Sequence, residues 1–289
     1  MELSDNACNQ YHKMLWPDGK YLAFTMSYDD GVEQDVRLIE LMNQYGIKGT
    51  FNLNSGLMGK REILTFYKNA AHNMLPQDQI CEVYREYEVA CHGHMHVPLP
   101  TLSSVERIRE LLLCREKLEC LTGQPIVGYA YAVGPYDSHC EQYLRMCGLA
   151  YARTTKSTGT FDVPQNFYYW HPTCHHQDPQ LFQLAEGFLK EPDIPFLRKK
   201  LFYVWGHSYE FDPEQNWDCV ESLFKIIGGR DDVWYATNRD VVFYARAFQQ
   251  LIFSVDGRQI VNPNSINIWI EVDHAPVCIA AGTHITLKT

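Results

Sequence analysis

The sequence predicts a distorted (β/α) barrel of about seven parallel strands over residues 1–250, with a small β-rich appendage over 251–289. Three observations predict it. Short apolar runs alternate with helical patterns, residues able to do chemistry fall at the ends of those runs, and after about residue 250 only short β-type runs remain. The chain has 289 residues and is 46% hydrophobic, enough to bury the core of a barrel that takes about 250 residues.

In order, 21–27 (YLAFTMS) is an apolar strand ending in a polar turn. Residues 33–45 place Val36, Ile39 and Met42 at helical spacing before Gly46, and 50–54 (TFNLN) is the next strand. Strand, helix and strand imply a right-handed crossover between parallel neighbours, which sets Asp29 and Asp30 at the C-terminal end of the first strand. A strand over 83–91 leads into the run His92-Gly93-His94-Met95-His96. The helix over 103–121 opens with a capping box, Ser103 and Glu106, and its expected apolar face carries Val105, Ile108, Leu112 and Leu118. Strands are expected over 126–131, 149–152, 201–205 and 233–236, and helices over 138–147, 218–227 and 240–251. The stretch 161–195, aromatic and rich in Pro and His, reads as a long loop on the rim of a site. Four β-type runs, 251–255, 266–272, 277–281 and 284–287, make up the appendage, expected to cover a barrel edge or to form a contact in a homo-oligomer.

With 35 acidic against 25 basic residues, a formal charge of −10, the chain has no cationic excess to neutralise phosphates, so nucleic acid is not an expected partner. A neutral or cationic substrate is easier to accommodate. Neither a leader-like start nor a run of ~18 apolar residues is present, so the expectation is a cytoplasmic protein with no membrane span. Ten scattered cysteines without a CxxC pair read as free, mostly buried thiols.

The chemistry lies in two clusters, Ser27-Tyr28-Asp29-Asp30-Gly31 and the histidine run. Adjacent aspartates at a strand end point in different directions, so one can ligate a cation while the other serves as a base. His92 and His96, four apart, converge if the backbone turns helically, whereas His92 and His94 share a face if it stays extended. Asp30 with His92 and His96 makes a two-histidine, one-carboxylate site with positions open for water and substrate; His94 is the alternative ligand. Either cluster alone would more often be an ordinary polar turn or a hydrogen-bonded histidine.

The order of these residues resembles the polysaccharide deacetylase family, carbohydrate esterase family 4, over about residues 21–251. The family's Thr-(Phe/His)-Asp-Asp-Gly stands here as Ser27 to Gly31, and its Glu-(Ile/Val)-(Gly/Ala)-x-His-x-x-x-His as Glu88-Val89-Ala90-Cys91-His92-Gly93-His94-Met95-His96. A late Leu-x-His is similar to Val204-Trp205-Gly206-His207, with shifted spacing. The resemblance implies that Asp29 is the catalytic base, that Asp30, His92 and His96 bind one divalent metal, and that His207 is the general acid. The metal is zinc first, with cobalt, nickel or iron as alternatives. The implied activity is hydrolysis of an N-acetyl group on an amino sugar of a carbohydrate substrate. Alternatives are hydrolysis of a non-sugar amide on the same scaffold and a catalytically silent carbohydrate-binding or structural zinc protein.

The family's Arg-Pro-Pro-Tyr-Gly is matched only by Ala130-Tyr131-Ala132-Val133-Gly134, which keeps a main-chain oxyanion donor at Val133 but lacks the arginine that orients the base. Arg153, Asp162, His175 and Glu210 are the candidate replacements. Trp170 stands in for a family tryptophan, and Trp170 and His175 are expected at the substrate. A cupin built on His92 and His94 is the structural rival, opposed by the helices between the strands.

Overall fold

A computed structural model of the chain describes residues 13–62, 71–191 and 199–287. Cys8 and the start of the chain, on which the expectation of no leader rests, fall outside them. Strand β1 (Lys13–Leu15) precedes the alternating series: β2 (Leu22–Asp30), α1 (Asp35–Gln44), β3 (Thr50–Leu53), α2 (Ile80–Val83), β4 (Glu88–Cys91), α3 (Ser104–Thr122), β5 (Gly128–Ala130) and α4 (Cys140–Met146). It continues with β6 (Tyr151–Arg153), β7 (Cys174–His175), α5 (Leu181–Leu189), β8 (Lys200–Gly206), α6 (Trp217–Ile227), β9 (Val233–Tyr235) and α7 (Asn238–Gln249).

Seven parallel strands run in the order β6-β5-β4-β3-β2-β8-β7. β9 lies along Leu22 to Phe24 of β2, while β3 takes Ser27 to Asp30, so β2 has neighbours on both sides along most of its length. Eight of its nine residues are buried, as a strand covered on both faces requires. Parallel pairing brings the C-terminal ends of β2, β3, β4 and β8 together, and the two sequence clusters meet there.

The stretch expected to be a rim loop instead helps to close the barrel. Trp170 bridges Arg153 of β6 through its N–H to Ala152 O and its carbonyl to Thr154 N, both at 2.9 Å, and four residues later β7 pairs with β8. The run from 170 to 175 thus spans from one side of the barrel to the other. Trp170 consequently lies inside: it is 1% exposed and packs on Tyr151, Phe167 and Tyr203. It is a core residue, and the expected substrate contact there is corrected. The same stretch also holds helix α5, which was not foreseen.

Other elements shift for local reasons. The strand expected over 83–91 starts only at Glu88, because Val83 ends helix α2. Helix α3 has the expected capping box and ends at left-handed Gly123, but Val105 and Leu112 are exposed. Its buried face is Arg107, Glu110, Leu111, Cys114 and Leu118, turned toward partners that satisfy the two charges: Asp137 for Arg107, and the Met95 N–H for Glu110. On α1 the buried face is Leu38, Ile39 and Met42, with Val36 exposed.

After α7 come β10 (Ile252–Phe253), β11 (Gln259–Val261), β12 (Ile268–Val272), β13 (Ala275–Ile279) and β14 (His284–Thr286). They form two three-stranded antiparallel sheets, β10-β11-β14 and β1-β12-β13, so the first described strand joins the last part of the chain. A second apolar core including Trp16, Val241, Tyr244, Ile260, Ile268 and Ile270 fixes these sheets to α7. Nine described cysteines are free, five of them buried, and no described helix is long and apolar enough to cross a membrane.

Candidate active site

At the mouth of the barrel, Asp29 and Asp30 end β2 and His92 follows β4. His92 Nε2 lies 3.6 Å from Asp30 Oδ1, His96 Nε2 lies 3.7 Å from the same oxygen, and the two Nε2 atoms are 3.2 Å apart. Ligands at 2.0–2.2 Å from a tetrahedral cation are separated by about 3.3–3.6 Å, so the three atoms already outline one face of such a site. His92 Nδ1 donates to the Ala130 carbonyl at 3.0 Å, which leaves the bare Nε2 lone pair facing the centre. These donors fit a divalent cation.

The histidines converge through neither of the expected conformations. Left-handed Gly93 (φ 88°) and His96 (φ 58°) bend the chain, and the Met95 N–H donates to buried Glu110 at 2.6 Å. A Cβ on residue 93 would come within 2.9 Å of Glu110 Oε1, so glycine is required there for space as well as for conformation. The bend carries His94 away from the centre, and its Nδ1 lies 2.8 Å from Ser55 Oγ. Asp30 (φ 81°) is left-handed too, so two of the three residues that converge here, Asp30 and His96, are non-glycine residues in that region; Val133 (φ 62°), in the loop after β5, is another.

Asp29 is held on both oxygens. Asn52 of β3 donates to Oδ1 at 2.8 Å, and Arg153 Nη2 donates to Oδ2. Arg153 is fully buried, and its guanidinium lies 4.3 Å over the Trp205 ring. The arginine missing from the loop over 130–134 therefore has a counterpart at the end of β6. Burial opposes the charge on Asp29, but Arg153, His92 and His207 outweigh it and hold the carboxyl below its usual range. Asp30 is held below its usual range as well: burial opposes its charge, and a hydrogen bond from His72, then His207, His92 and His96, favour it. Burial brings His92 down to about 4, so it is neutral and free to ligate.

On the far side of Asp29, His207 follows β8, with Nε2 3.9 Å from Asp29 Oδ2 and Nδ1 3.4 Å from Glu210 Oε1. Burial disfavours the imidazolium, yet Glu210, Asp30 and Asp29 together raise it to about 9. Glu210 also has His175 Nε2 at 3.3 Å and His176 Nε2 at 3.1 Å. His176 is buried, stacked between Tyr28 and Phe211, and lowered to about 4 by burial. Of the four candidate partners, Arg153 reaches the base, Glu210 reaches His207 and His175 reaches Glu210, whereas Asp162 sits beside Lys199.

His175, His207 and Glu210 also bring ligand atoms within 4.8 Å of one another. Their hydrogen atoms argue against a second metal. Gln177 donates its N–H to His175 Nδ1, so His175 Nε2 carries the proton and donates to Glu210. Val133 lies 65% exposed in the turn closed by the Gly134 N–H and Tyr131 carbonyl. Asn52 and His72 were not singled out from sequence; neither falls in a motif.

The sequence model of the polysaccharide deacetylase family matches residues 18–152. No curated protein matches the chain. Among solved structures, one from Mycobacterium smegmatis, assigned to the polysaccharide deacetylases, aligns at TM-score 0.58 and 17% identity over 82% of this chain and 94% of its own. Puue allantoinase aligns at TM-score 0.55 and 14% identity over 79% of this chain and 91% of its own. At these identities the two structures show the shared fold.

Proposed function

We propose, on the premise that residues 18–152 relate this chain to the polysaccharide deacetylases, that it is a metal-dependent hydrolase removing an N-acetyl group from an amino sugar. The observation that carries the reading is one mouth holding three kinds of group. A triad at metal-ligand spacing, a carboxylate fixed by Asn52 and Arg153, and an imidazolium paired with Glu210 lie within about one substrate's reach of each other.

A divalent cation held by Asp30, His92 and His96, zinc first among the candidates, would polarise the acyl carbonyl and acidify a water. Asp29 takes that water's proton: it is ionised, and its Oδ2 faces His92 and His207. Arg153 and Asn52 keep its oxygens oriented, which limits the reorganisation needed during attack. In this reading the Val133 N–H serves as a donor for the developing oxyanion. His207 gives its Nε2 proton to the departing amine, and Glu210 stabilises the imidazolium beforehand. His175 acts through Glu210 and borders the substrate at the mouth.

Acetate release from N-acetylated amino sugars and short oligosaccharides, measured on purified protein with and without added zinc or cobalt, tests the reading. Metal-stimulated release that Asp29→Asn abolishes supports it. Release from simple amides but from no amino sugar would move the assignment to a non-sugar amide.

A further inference from the structure

Asp30 has a second partner outside both motifs. His72 Nε2 lies 3.0 Å from Asp30 Oδ2, on the opposite oxygen from the one that faces His92 and His96. A carboxylate only accepts, so His72 donates Nε2–H. Its ring is 3% exposed and stands edge-on to Tyr209, with ring centres 4.6 Å apart; Nδ1 is buried without a hydrogen-bond partner among the described residues.

Backbone pairing, not chance packing, delivers this ring. The chain from 71 to 75 runs antiparallel to the residues just after β2: the Leu75 N–H donates to Gly31 O, and the Glu33 N–H to Asn73 O, both at 2.9 Å. Val32 bridges Met74 between them. Side chains tie the same two strips again, since Gln34 donates to Ala71 O and Asn73 donates to Glu33. Val32, Leu57, Met74 and Tyr209 fill the space beneath. The register that sets Met74 opposite Val32 puts His72 across from Gln34, and from there its ring reaches back to Asp30 Oδ2. Asp30 needs such a clamp, because its backbone is left-handed and its carboxylate is buried at 4% exposure.

We infer that His72 is a positioning residue for the metal site: its hydrogen bond to Asp30 Oδ2 fixes the carboxylate so that Oδ1 is the oxygen turned toward His92 and His96. The inference rests on Asp30 being a ligand.

The test is zinc affinity of metal-stripped protein, measured by competition with a chromogenic chelator, for wild type, His72→Phe, His72→Gln and Asp30→Ala. Phenylalanine keeps the edge contact with Tyr209 but removes the donor, and glutamine restores an N–H near the Nε2 position. The expected result is about 10- to 100-fold weaker zinc binding for His72→Phe, with His72→Gln recovering most of the loss. Wild-type affinity in His72→Phe, or equal losses in both His72 variants, would overturn the positioning role. Undiminished affinity in Asp30→Ala would instead remove the ligand assignment, and the role of His72 with it.

Discussion

Two clusters of histidines around a carboxylate face each other across Asp29, with nearly the same spacing and different chemistry. In the first, Asp30 Oδ1 lies 3.6 and 3.7 Å from the imidazoles of His92 and His96. In the second, Glu210 lies 3.1, 3.3 and 3.4 Å from His176, His175 and His207. What separates them is the outer hydrogen bond. His92 gives its Nδ1 proton to a carbonyl and turns a lone pair inward, whereas His175 accepts a main-chain N–H at Nδ1 and turns a proton inward. In the proposed reading the first arrangement suits a cation, while the second gathers protons on a carboxylate and favours the charged form of His207. Donor spacing alone does not distinguish a metal site from an acid's support, and the tautomer does.

The largest effects should come from the first cluster and the base beside it. Asp29→Asn is expected to keep its metal while kcat falls by about 100- to 10,000-fold, measured as acetate release beside metal content; normal turnover would end its role as base. The carboxamide keeps the shape but accepts no proton.

Next comes the support of the acid. Glu210→Gln should lower kcat/KM by about 10- to 100-fold at pH 8 without removing metal. The proposed mechanism uses His207 as the imidazolium, so the rate should fall as pH rises through its pKa, near 9 at the highest since a bound cation lowers it. Removing the negative charge of Glu210 should move that alkaline fall to lower pH. A pH profile identical to wild type would detach Glu210 from His207.

A smaller effect sharpens the contrast. His175→Ala should change turnover only a few-fold and leave the metal stoichiometry unaltered; loss of a metal equivalent would make the second cluster a metal site after all. The smallest belongs to His94→Ala, within about threefold of wild type, because His94 points to Ser55 and away from the centre. If it emptied the site, the wrong histidine pair would have been chosen.

How far the sequence could be read follows the range of the interactions. Asp29, Asp30, His92 and His96 lie in short segments at strand ends, where local pattern and strand direction suffice, and the parallel pairing of β2, β3 and β4 assembles them. Arg153 was only one of four candidates, because it reaches Asp29 from a strand 124 residues away. His72 gave no signal: its place depends on the antiparallel register of 71–75 against the chain after β2, a pairing between two irregular segments without strand periodicity. Trp170 misled for the opposite reason. An aromatic, proline-rich stretch has the composition of a rim, but its backbone hydrogen bonds to β6 draw the side chain into the core. On α3, two buried charges with fixed partners turned the helix away from the face that its apolar residues alone would choose.

The proposed mechanism turns on whether Asp30, His92 and His96 hold one divalent cation while the cluster around Glu210 holds none. Elemental analysis of purified, tag-free protein beside Asp30→Ala, His92→Ala and His175→Ala tests it directly. About one metal per chain is expected in wild type and in His175→Ala, and none in the other two. Full occupancy in Asp30→Ala, or a metal lost from His175→Ala, would contradict it.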